Sequence, residues 1–413
     1  MKKSCKNINL RDRETVSAYV KECLQRHCRR QNTRALICRR FGVPEDAYQR
    51  ILDRDEETIQ AVALKISDYI IGTIRDRDIP VFVPKARERR DQTTGKLRLI
   101  GCEPAPQQFY DYVAVRSCDE IWARRLVPQQ CSSIKGRGQV YGMRMIRSYV
   151  DKDNRAAAYA ARHGLRYNRQ VKYFVKLDIR HCYQSVDRNL LMDILRHDCG
   201  NEDILYLWKA LLDSYGRAMS PDGSPYTGLL IGALPSQWGA QLILSYAYRY
   251  AMTLPGVSHG VFFMDDMLFT GSSRRKLKRA VEAIVVYVKE RLHLEIKPTW
   301  HIKALADKPI DMMGYVIHQS GKVTMRARNF IHSRRLLLRV TKTEWIGSRR
   351  ARRLVSYKGF YDHSDSFKTT TTLHAGPLFK QAQYLLSKEE KHANLLRHRT
   401  GKSDLRAPAG WNG

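Results

Sequence analysis

The stretch Val261-Phe262-Phe263-Met264-Asp265-Asp266-Met267-Leu268-Phe269-Thr270-Gly271 sets two adjacent carboxylates in the middle of an apolar run. An apolar run reads as a buried strand. Two neighbouring charges are costly in a strand of that kind unless something pairs with them. A hairpin resolves the conflict: strand, tight turn carrying Asp265-Asp266, strand back. The turn lifts both carboxylates from the core and aims them at a common spot suited to a divalent cation, which takes oxygen ligands. The same residues also fit a plain acidic turn between two strands, so the rest of the chain decides.

The balance of charge points to a polyanionic partner. Among 413 residues, 73 Lys and Arg stand against 41 Asp and Glu, for a net charge of +32 and a pI near 9.9. A field of that size reads as a nucleic-acid footprint. It is uneven: residues 325–413 carry 19 Lys and Arg against 6 Asp and Glu, whereas residues 1–79 carry 17 against 12. The C-terminal segment is therefore the expected grip on phosphates. With 43% hydrophobic residues, the chain is long enough for about two or three packed units. The nine cysteines include no Cys-x-x-Cys pair, which predicts reduced thiols in a cytosolic protein; Cys23 and Cys28 lack a matching second pair and read as small apolar fillers. The basic start is followed by charged residues, so no signal peptide is expected. No apolar run reaches about 18 residues, so no transmembrane helix is expected, and no membrane is among the expected partners.

Along the chain, residues 8–79 read as helices broken by Gly42-Val43-Pro44, either a helical appendage or a helix-turn-helix. Within them, 58–74 places Ile59, Val62, Ala63, Ile66, Tyr69 and Ile70 at the helical period. Residues 80–85 and 97–100 read as two strands around a charged turn, 87–96, forming a hairpin with basic edges. Residues 132–139 form a Gly-rich basic loop whose backbone would approach a phosphate closely. A strand over 171–178 ends on Asp178, and a helix is predicted over 188–197. Ser236 is the expected N-cap of a buried helix over 237–252, and Ser272 that of an amphipathic helix over 273–292. Residues 294–298 read as an edge strand, 311–318 as a further strand and 319–322 as a turn. The remainder is helical and basic, with a polar tail.

Asp178 and Asp265-Asp266 thus form two strand-end carboxylate sites 87 residues apart, separated by helices. A sheet that holds such groups suits a two-metal site for in-line phosphoryl transfer. With a strongly basic chain, the pattern suggests a nucleic-acid polymerase or nuclease.

The motifs then resemble those of a reverse transcriptase, over about residues 80–365. The run Lys176-Leu177-Asp178-Ile179-Arg180-His181-Cys182-Tyr183-Gln184-Ser185-Val186-Asp187 resembles the first catalytic palm motif. Phe263-Met264-Asp265-Asp266 resembles the aromatic-x-Asp-Asp box, with Phe for the usual Tyr. Leu294 to Pro298 resembles the next palm motif, and Met312-Met313-Gly314-Tyr315 the primer grip. Ser356 to His363 resembles a thumb segment of bacterial enzymes of the group II intron-like lineage. Ile231-Gly232-Ala233-Leu234-Pro235-Ser236-Gln237 is similar to the corresponding loop of diversity-generating retroelement enzymes, with Leu230 where those usually have Pro. No Val-Thr-Gly follows the primer grip, which disfavours retron-type enzymes.

The resemblance implies an α+β right-hand polymerase. Its parts would be a helical N-terminal extension (1–79), fingers (80–165), a palm with an antiparallel sheet and interleaved fingers elements (166–323), and a basic helical thumb with a C-terminal tail (324–413). Asp178 and Asp265 would bind two Mg²⁺ ions, or Mn²⁺ in their place, with Asp266 completing the cluster and the Ile179 carbonyl adding an oxygen. Lys85 and Arg98 would clamp the incoming triphosphate. Tyr183 would pack under the sugar and exclude a 2′-hydroxyl, and Gln237 would touch the template base or nucleotide. Lys297 would protonate the leaving pyrophosphate, with Lys303 as its competitor. Met313, Gly314 and Tyr315 would hold the primer. His181 and Asp187 match the motif without needing a catalytic task.

The expected activity is RNA-directed DNA synthesis in the bacterial cytoplasm. The expected partners are a structured RNA template, a DNA or RNA primer, dNTPs, and an accessory protein or a second copy of the chain. The role is diversification in a retroelement. The alternatives are antiphage defence with a noncoding RNA template and, in other classes, a catalytically idle RNA-binding maturase-like protein or an RNA-dependent RNA polymerase. The three carboxylates speak against the idle protein, and Tyr183 against the RNA polymerase.

Overall fold

The computed structural model describes residues 3–90, 95, 97–218, 223, 226–343 and 345–400, the side chains of 390–400 excepted. The chain forms two compact units: Met1–Gly138 with Val175–Ile302, and Gln139–Phe174 with Lys303–Gly413. The strands are β1 (Lys85–Arg90), β2 (Leu97–Cys102), β3 (Tyr173–Asp178), β4 (His259–Phe263), β5 (Asp266–Gly271), β6 (Lys303–Ala304), β7 (Ile310–Met312), β8 (Tyr315–Ile317) and β9 (Val323–Met325). Helices make up most of the rest, so the fold is α+β with antiparallel sheets.

In the first unit, two helices pack side by side at the N-terminal end. Helix Arg13–His27 starts where Asp12 accepts from the Thr15 amide at 2.8 Å. Helix Glu56–Arg75 starts where Asp55 does the same for Thr58 at 3.0 Å. Such caps satisfy amides that a helix start leaves unbonded. The second helix buries Ile59, Val62, Ala63, Ile66 and Ile70, the stripe expected from the sequence, but leaves Tyr69 at the solvent edge. Helix Ala105–Arg116 runs through the core of this unit, with Phe109, Tyr110, Val113 and Val115 buried.

The sheet of this unit runs β4-β5-β3. Phe262 on β4 and Phe269 on β5 are buried and meet edge to face, 5.6 Å between ring centroids. Burying each contributes about 1.5–3 kcal/mol. The outer edge of β4 is occupied by residues 129–131: the Phe262 amide donates to the Gln129 carbonyl, and the Cys131 amide to the Phe262 carbonyl, both at 2.8 Å. Helices Leu234–Thr253 and Arg274–Leu292 cover the sheet. The second buries Leu277, Val281, Ile284, Val288 and Leu292, as its periodicity predicts.

In the second unit, β6 pairs with Tyr173 and Phe174 at the start of β3. Strands β7, β8 and β9 form a separate antiparallel sheet. Helices Ala327–Val340, Ser348–Asp362 and Ala375–Thr400 enclose a small core of Leu336, Leu337, Val340, Ile346, Leu354, Tyr361 and Phe379.

Several local expectations shift. Pro80 and Pro84 supply no amide to a ladder, so β1 begins at Lys85 instead of running over 80–85. Arg87 to Arg90, expected in the turn, lie in β1; residues 91–94 and 96 of that turn, like the tail beyond 400, lie outside the described residues. Residues 294–298 make only one bridge, Ile296 to Ile179, before Pro298 ends the pairing. The single strand expected over 311–318 is a hairpin, because Met313 and Gly314 both take positive φ (+55° and +85°) and reverse the chain. Ser236 is not a cap: Pro235 suits the first turn, so that helix begins at Leu234. The cap of the later helix is Ser273, one residue beyond Ser272. Among the described residues, no helix is long and apolar enough to cross a membrane.

Candidate active site

The β4–β5 connection is a two-residue turn, Met264-Asp265, with Phe263 paired to Asp266. Met264 holds φ at +55°, a region L-residues rarely adopt. Such strain costs on the order of 1–3 kcal/mol and persists where surrounding structure holds it. Here the Met264 sulfur accepts from the Tyr183 hydroxyl at 3.3 Å. The turn thus raises Asp265 at its tip and leaves Asp266 as the first residue of β5.

Asp178 ends β3, the neighbour of β5. The strand end and the turn meet through the backbone, with the Ile179 amide donating to the Asp265 carbonyl at 3.4 Å. Burial pushes the Asp265 carboxyl above its usual pKa, and the negative charges of Asp266 and Asp178 push the same way, against Lys297. Burial, with Asp265 and Asp178 nearby, also keeps the Cys182 thiol protonated. The groups facing this point are therefore hard oxygens in mutual repulsion, which a divalent cation would relieve. Among the described residues, no three His, Cys, Asp or Glu side chains converge on one ion position. Of the donors expected from the sequence, Asp178 ends β3, Asp265 sits at the turn and Asp266 opens β5. The Ile179 carbonyl is not an acceptor in the adjoining bridge, which uses the carbonyls of Asp178 and Glu295.

That bridge positions Lys297. Its amide donates to the Asp178 carbonyl at 2.9 Å, and the Arg180 amide donates to Glu295 at 2.7 Å. The Lys297 ammonium then reaches Asp178 Oδ1 at 2.6 Å. Lys303, the other candidate, belongs to β6 of the second unit.

Tyr183 sits in a short helical turn, Cys182–Ser185, and connects the carboxylates to the 228–237 loop. Its carbonyl accepts from the Leu229 amide at 2.7 Å. Gly228, at φ +68°, lies so close to the Tyr183 and Gln184 carbonyls that a Cβ would overlap them. Three residues on, the Ile231 carbonyl accepts from the Gly101 amide of β2 at 2.9 Å. Leu230 is fully buried against Gly101, where a Cβ would lie 2.8 Å from the leucine side chain. The departure to Leu at 230 is thus matched by a glycine across from it. Gln237 is half-buried in the first turn of the following helix.

The β1–β2 register places Lys85 opposite Cys102 and Arg98 opposite Arg89. Lys85 and Arg98 are therefore roughly 13 Å apart along the hairpin. Alternation puts both on one face together with Arg87 and Arg89. Assigning Arg87 and Arg89 to a turn hid this four-cation face; the clue was the alternation Lys-x-Arg-x-Arg after Pro84. In the Gly-rich loop, Arg137 is committed to backbone carbonyls, Val127 at 2.7 Å and Gln130 at 3.2 Å, instead of facing outward. Asp187 has a structural task as N-cap of helix Arg188–Asp198, and its other oxygen meets His293 at 2.9 Å.

Met313, Gly314 and Tyr315 lie in the second unit, at the β7–β8 turn. Tyr315 is buried, with its ring 5.2 Å from that of Phe360. A Cβ at Gly314 would lie 2.6 Å from the Phe360 ring, so only glycine fits there. The turn is thereby packed on helix Ser348–Asp362, which contains the thumb-like segment 356–363 apart from its last residue.

Similarity to solved structures is distant. Telomerase from Candida albicans, in complex with a TWJ fragment of telomeric RNA, is 10% identical with a TM-score of 0.44, over 74% of this chain and 58% of that one. Apo telomerase from Candida tropicalis is 10% identical with a TM-score of 0.45, over 70% and 55%. The chain thus spans between 55% and 58% of the length of these neighbours. No curated protein matches the sequence. The reverse transcriptase (RNA-dependent DNA polymerase) family matches residues 88–317, more than half of the chain and all of the carboxylate site. The chain therefore belongs to the reverse transcriptase family, whose members are RNA-directed DNA polymerases, a class of nucleotidyltransferase.

Proposed function

We propose that this protein extends a primer 3′-hydroxyl with dNTPs along a dedicated structured RNA, in the service of a diversity-generating retroelement in the bacterial cytoplasm. The supporting observation is the meeting of Asp178 and Asp265 at a strand end and a turn, with the Lys297 ammonium on the first of them. Asp178 and Asp265, with Asp266 and the Ile179 carbonyl, would hold the divalent ions. Those ions, typically Mg²⁺ in this family and with Mn²⁺ as substitute, supply activation of the attacking hydroxyl and neutralisation of leaving-group charge when bound.

The chain's own residues supply the rest. The cationic face of the β1–β2 hairpin, with Lys85 and Arg98, binds the triphosphate. The Tyr183 ring, held by its hydroxyl on Met264, lies under the sugar and leaves no room for a 2′-oxygen. Lys297 Nζ carries the proton passed to the departing pyrophosphate oxygen. Gln237 touches the templating region, and Met313 to Tyr315 hold the primer strand. The basic helices of the second unit grip the duplex phosphates. An accessory protein or a second copy of the chain completes the assembly.

The retroelement role draws on the Ile231–Gln237 loop. A second reading, antiphage defence with a noncoding RNA template, draws on Leu230 within the same region. An idle RNA-binding protein would have no use for Lys297 seated on Asp178.

Purified protein with an RNA template, a primer, Mg²⁺ and dNTPs should extend the primer. Equal extension by the Asp265→Ala/Asp266→Ala double variant would sink the catalytic assignment. Sequencing the copurifying RNA and DNA separates the roles. Copies of a protein-coding repeat mutated at adenines support diversification, whereas repetitive or free cDNA made during phage infection supports defence.

A further inference from the structure

Helix Gln139–Arg162 of the second unit ends in an exposed platform of aromatic and cationic side chains. Tyr159 is 58% exposed, and the His163 ring stacks on it at 4.1 Å between centroids and 29° between planes. His163 Nδ1 lies 2.8 Å from the Tyr159 carbonyl, which fixes the ring as an Nδ1–H donor. The pair is therefore preset instead of being assembled on contact. Arg155 and Arg162 are exposed at helical spacings that share the face of Tyr159, and Arg166 is exposed in the segment that follows the helix. From residue 155 to residue 172 the chain has five Lys and Arg and no Asp or Glu.

The segment after the helix is pinned, so the platform keeps its shape. Asp153, 4% exposed, accepts from the Tyr167 hydroxyl at 2.8 Å and from the Gln170 and Val171 amides at 2.7 and 3.3 Å. Arg169 donates to Asn154 at 2.7 Å. Tyr159 and the three arginines are exposed.

We propose that this face binds an unpaired stretch of RNA, one base stacking on the Tyr159–His163 pair and the flanking phosphates meeting Arg155, Arg162 and Arg166. A paired ring surface flanked by positive charge, in a segment whose one contacting acid, Asp153, is buried and already bonded, matches the chemistry of single-stranded nucleic acid. A protein partner would need apolar area, and here, besides Tyr159, the exposed large hydrophobic residues are Leu165 and the hydrogen-bonded Tyr167. The proposal goes beyond the copying reaction and rests only on RNA being a partner of the chain.

The test uses the full-length protein with a saturating preannealed RNA template and DNA primer, so that added labelled single-stranded RNA of about 12 nucleotides reports other sites. Tyr159→Ala should weaken that binding about fivefold or more, the lower end for one stacked base. Tyr159→Phe should restore it. Arg162→Gln/Arg166→Gln should weaken it and flatten its salt dependence. His163→Ala provides a second removal of the stack should Tyr159→Ala fail to fold. Unchanged affinity on removing either ring overturns the proposal. Loss of an acidic protein partner with RNA binding intact also overturns it, because the face is then a protein interface. Extension of the preannealed primer, measured in parallel, reports the catalytic reading by itself; a fall in extension matching the fall in RNA binding overturns the separate site.

Discussion

The Lys297 ammonium lies 2.6 Å from Asp178 Oδ1, and the Lys297 backbone amide lies 2.9 Å from the carbonyl of the same aspartate. One residue is thus joined to the other through main chain and side chain together. Replacing Lys297 by Met removes the donor while keeping most of the stem. Single-turnover extension should slow by about 10²–10⁴-fold, the usual share of a general acid, with little change in primer–template affinity. Lys297→Arg should recover only part of the rate and shift its pH profile. A rate unchanged in Lys297→Met shows the ammonium to be a structural counter-ion.

Tyr183 lies beside the carboxylate turn, its hydroxyl 3.3 Å from the Met264 sulfur. Tyr183→Ala should raise ribonucleotide incorporation relative to deoxynucleotide on the order of 10–100-fold, the range of a steric pocket effect. Tyr183→Phe keeps the ring and should keep the selectivity. The ratio of kcat/KM for rNTP and dNTP checks both. Unchanged selectivity in the alanine variant removes the sugar-gate role.

Gly101 and Leu230 fill one another's space, with 2.8 Å from an added Cβ to the leucine side chain. Gly101→Ala should destabilise the protein by about 1–3 kcal/mol, as overpacking does. Leu230→Ala combined with it should return part of that loss. Thermal melting of the two single variants and the double variant measures the coupling.

His27 is pushed down to about 4 by burial, with Arg30 and Arg26 adding repulsion. Its Nε2 lies 3.2 Å from the Tyr112 hydroxyl, and its Nδ1 is buried without a partner among the described residues. The unfolded chain takes up this proton near pH 6.5, before the folded one does. The stability this residue protects is therefore full above about pH 6.5 and declines as the pH falls toward 4. His27→Gln should lessen the drop in melting temperature between pH 7 and pH 5. An identical drop in both proteins places the acid sensitivity elsewhere.

Local chemistry made much of the fold legible. The apolar run interrupted by two carboxylates predicts a hairpin, and β4 and β5 form one around Met264-Asp265. Periodicity predicts helix 273–292 to within one residue of its observed start, since its stripe of Leu, Val and Ile is continuous. Pairings between distant segments carry no such local signal. Nothing in residues 129–131 marks them as the neighbour of Phe262, and nothing near Lys297 names Asp178. The cationic face of β1 was obscured because Arg-rich segments read as turns, whereas strand alternation sorts Arg87 and Arg89 onto the side of Lys85. The 311–318 segment reads as one strand because Met313 is apolar, yet its left-handed backbone makes it a turn residue.

Residues 228–231 are fastened at one end to the Tyr183 carbonyl and at the other to the Gly101 amide. The segment therefore acts as a ruler, setting a fixed length between the surface proposed to sense the sugar and the hairpin proposed to sense the phosphates. A substitution within the ruler would misalign both ends of a nucleotide together. Sugar selectivity and nucleotide affinity would then change as a single trait, and selection could not adjust one of them through this segment without disturbing the other.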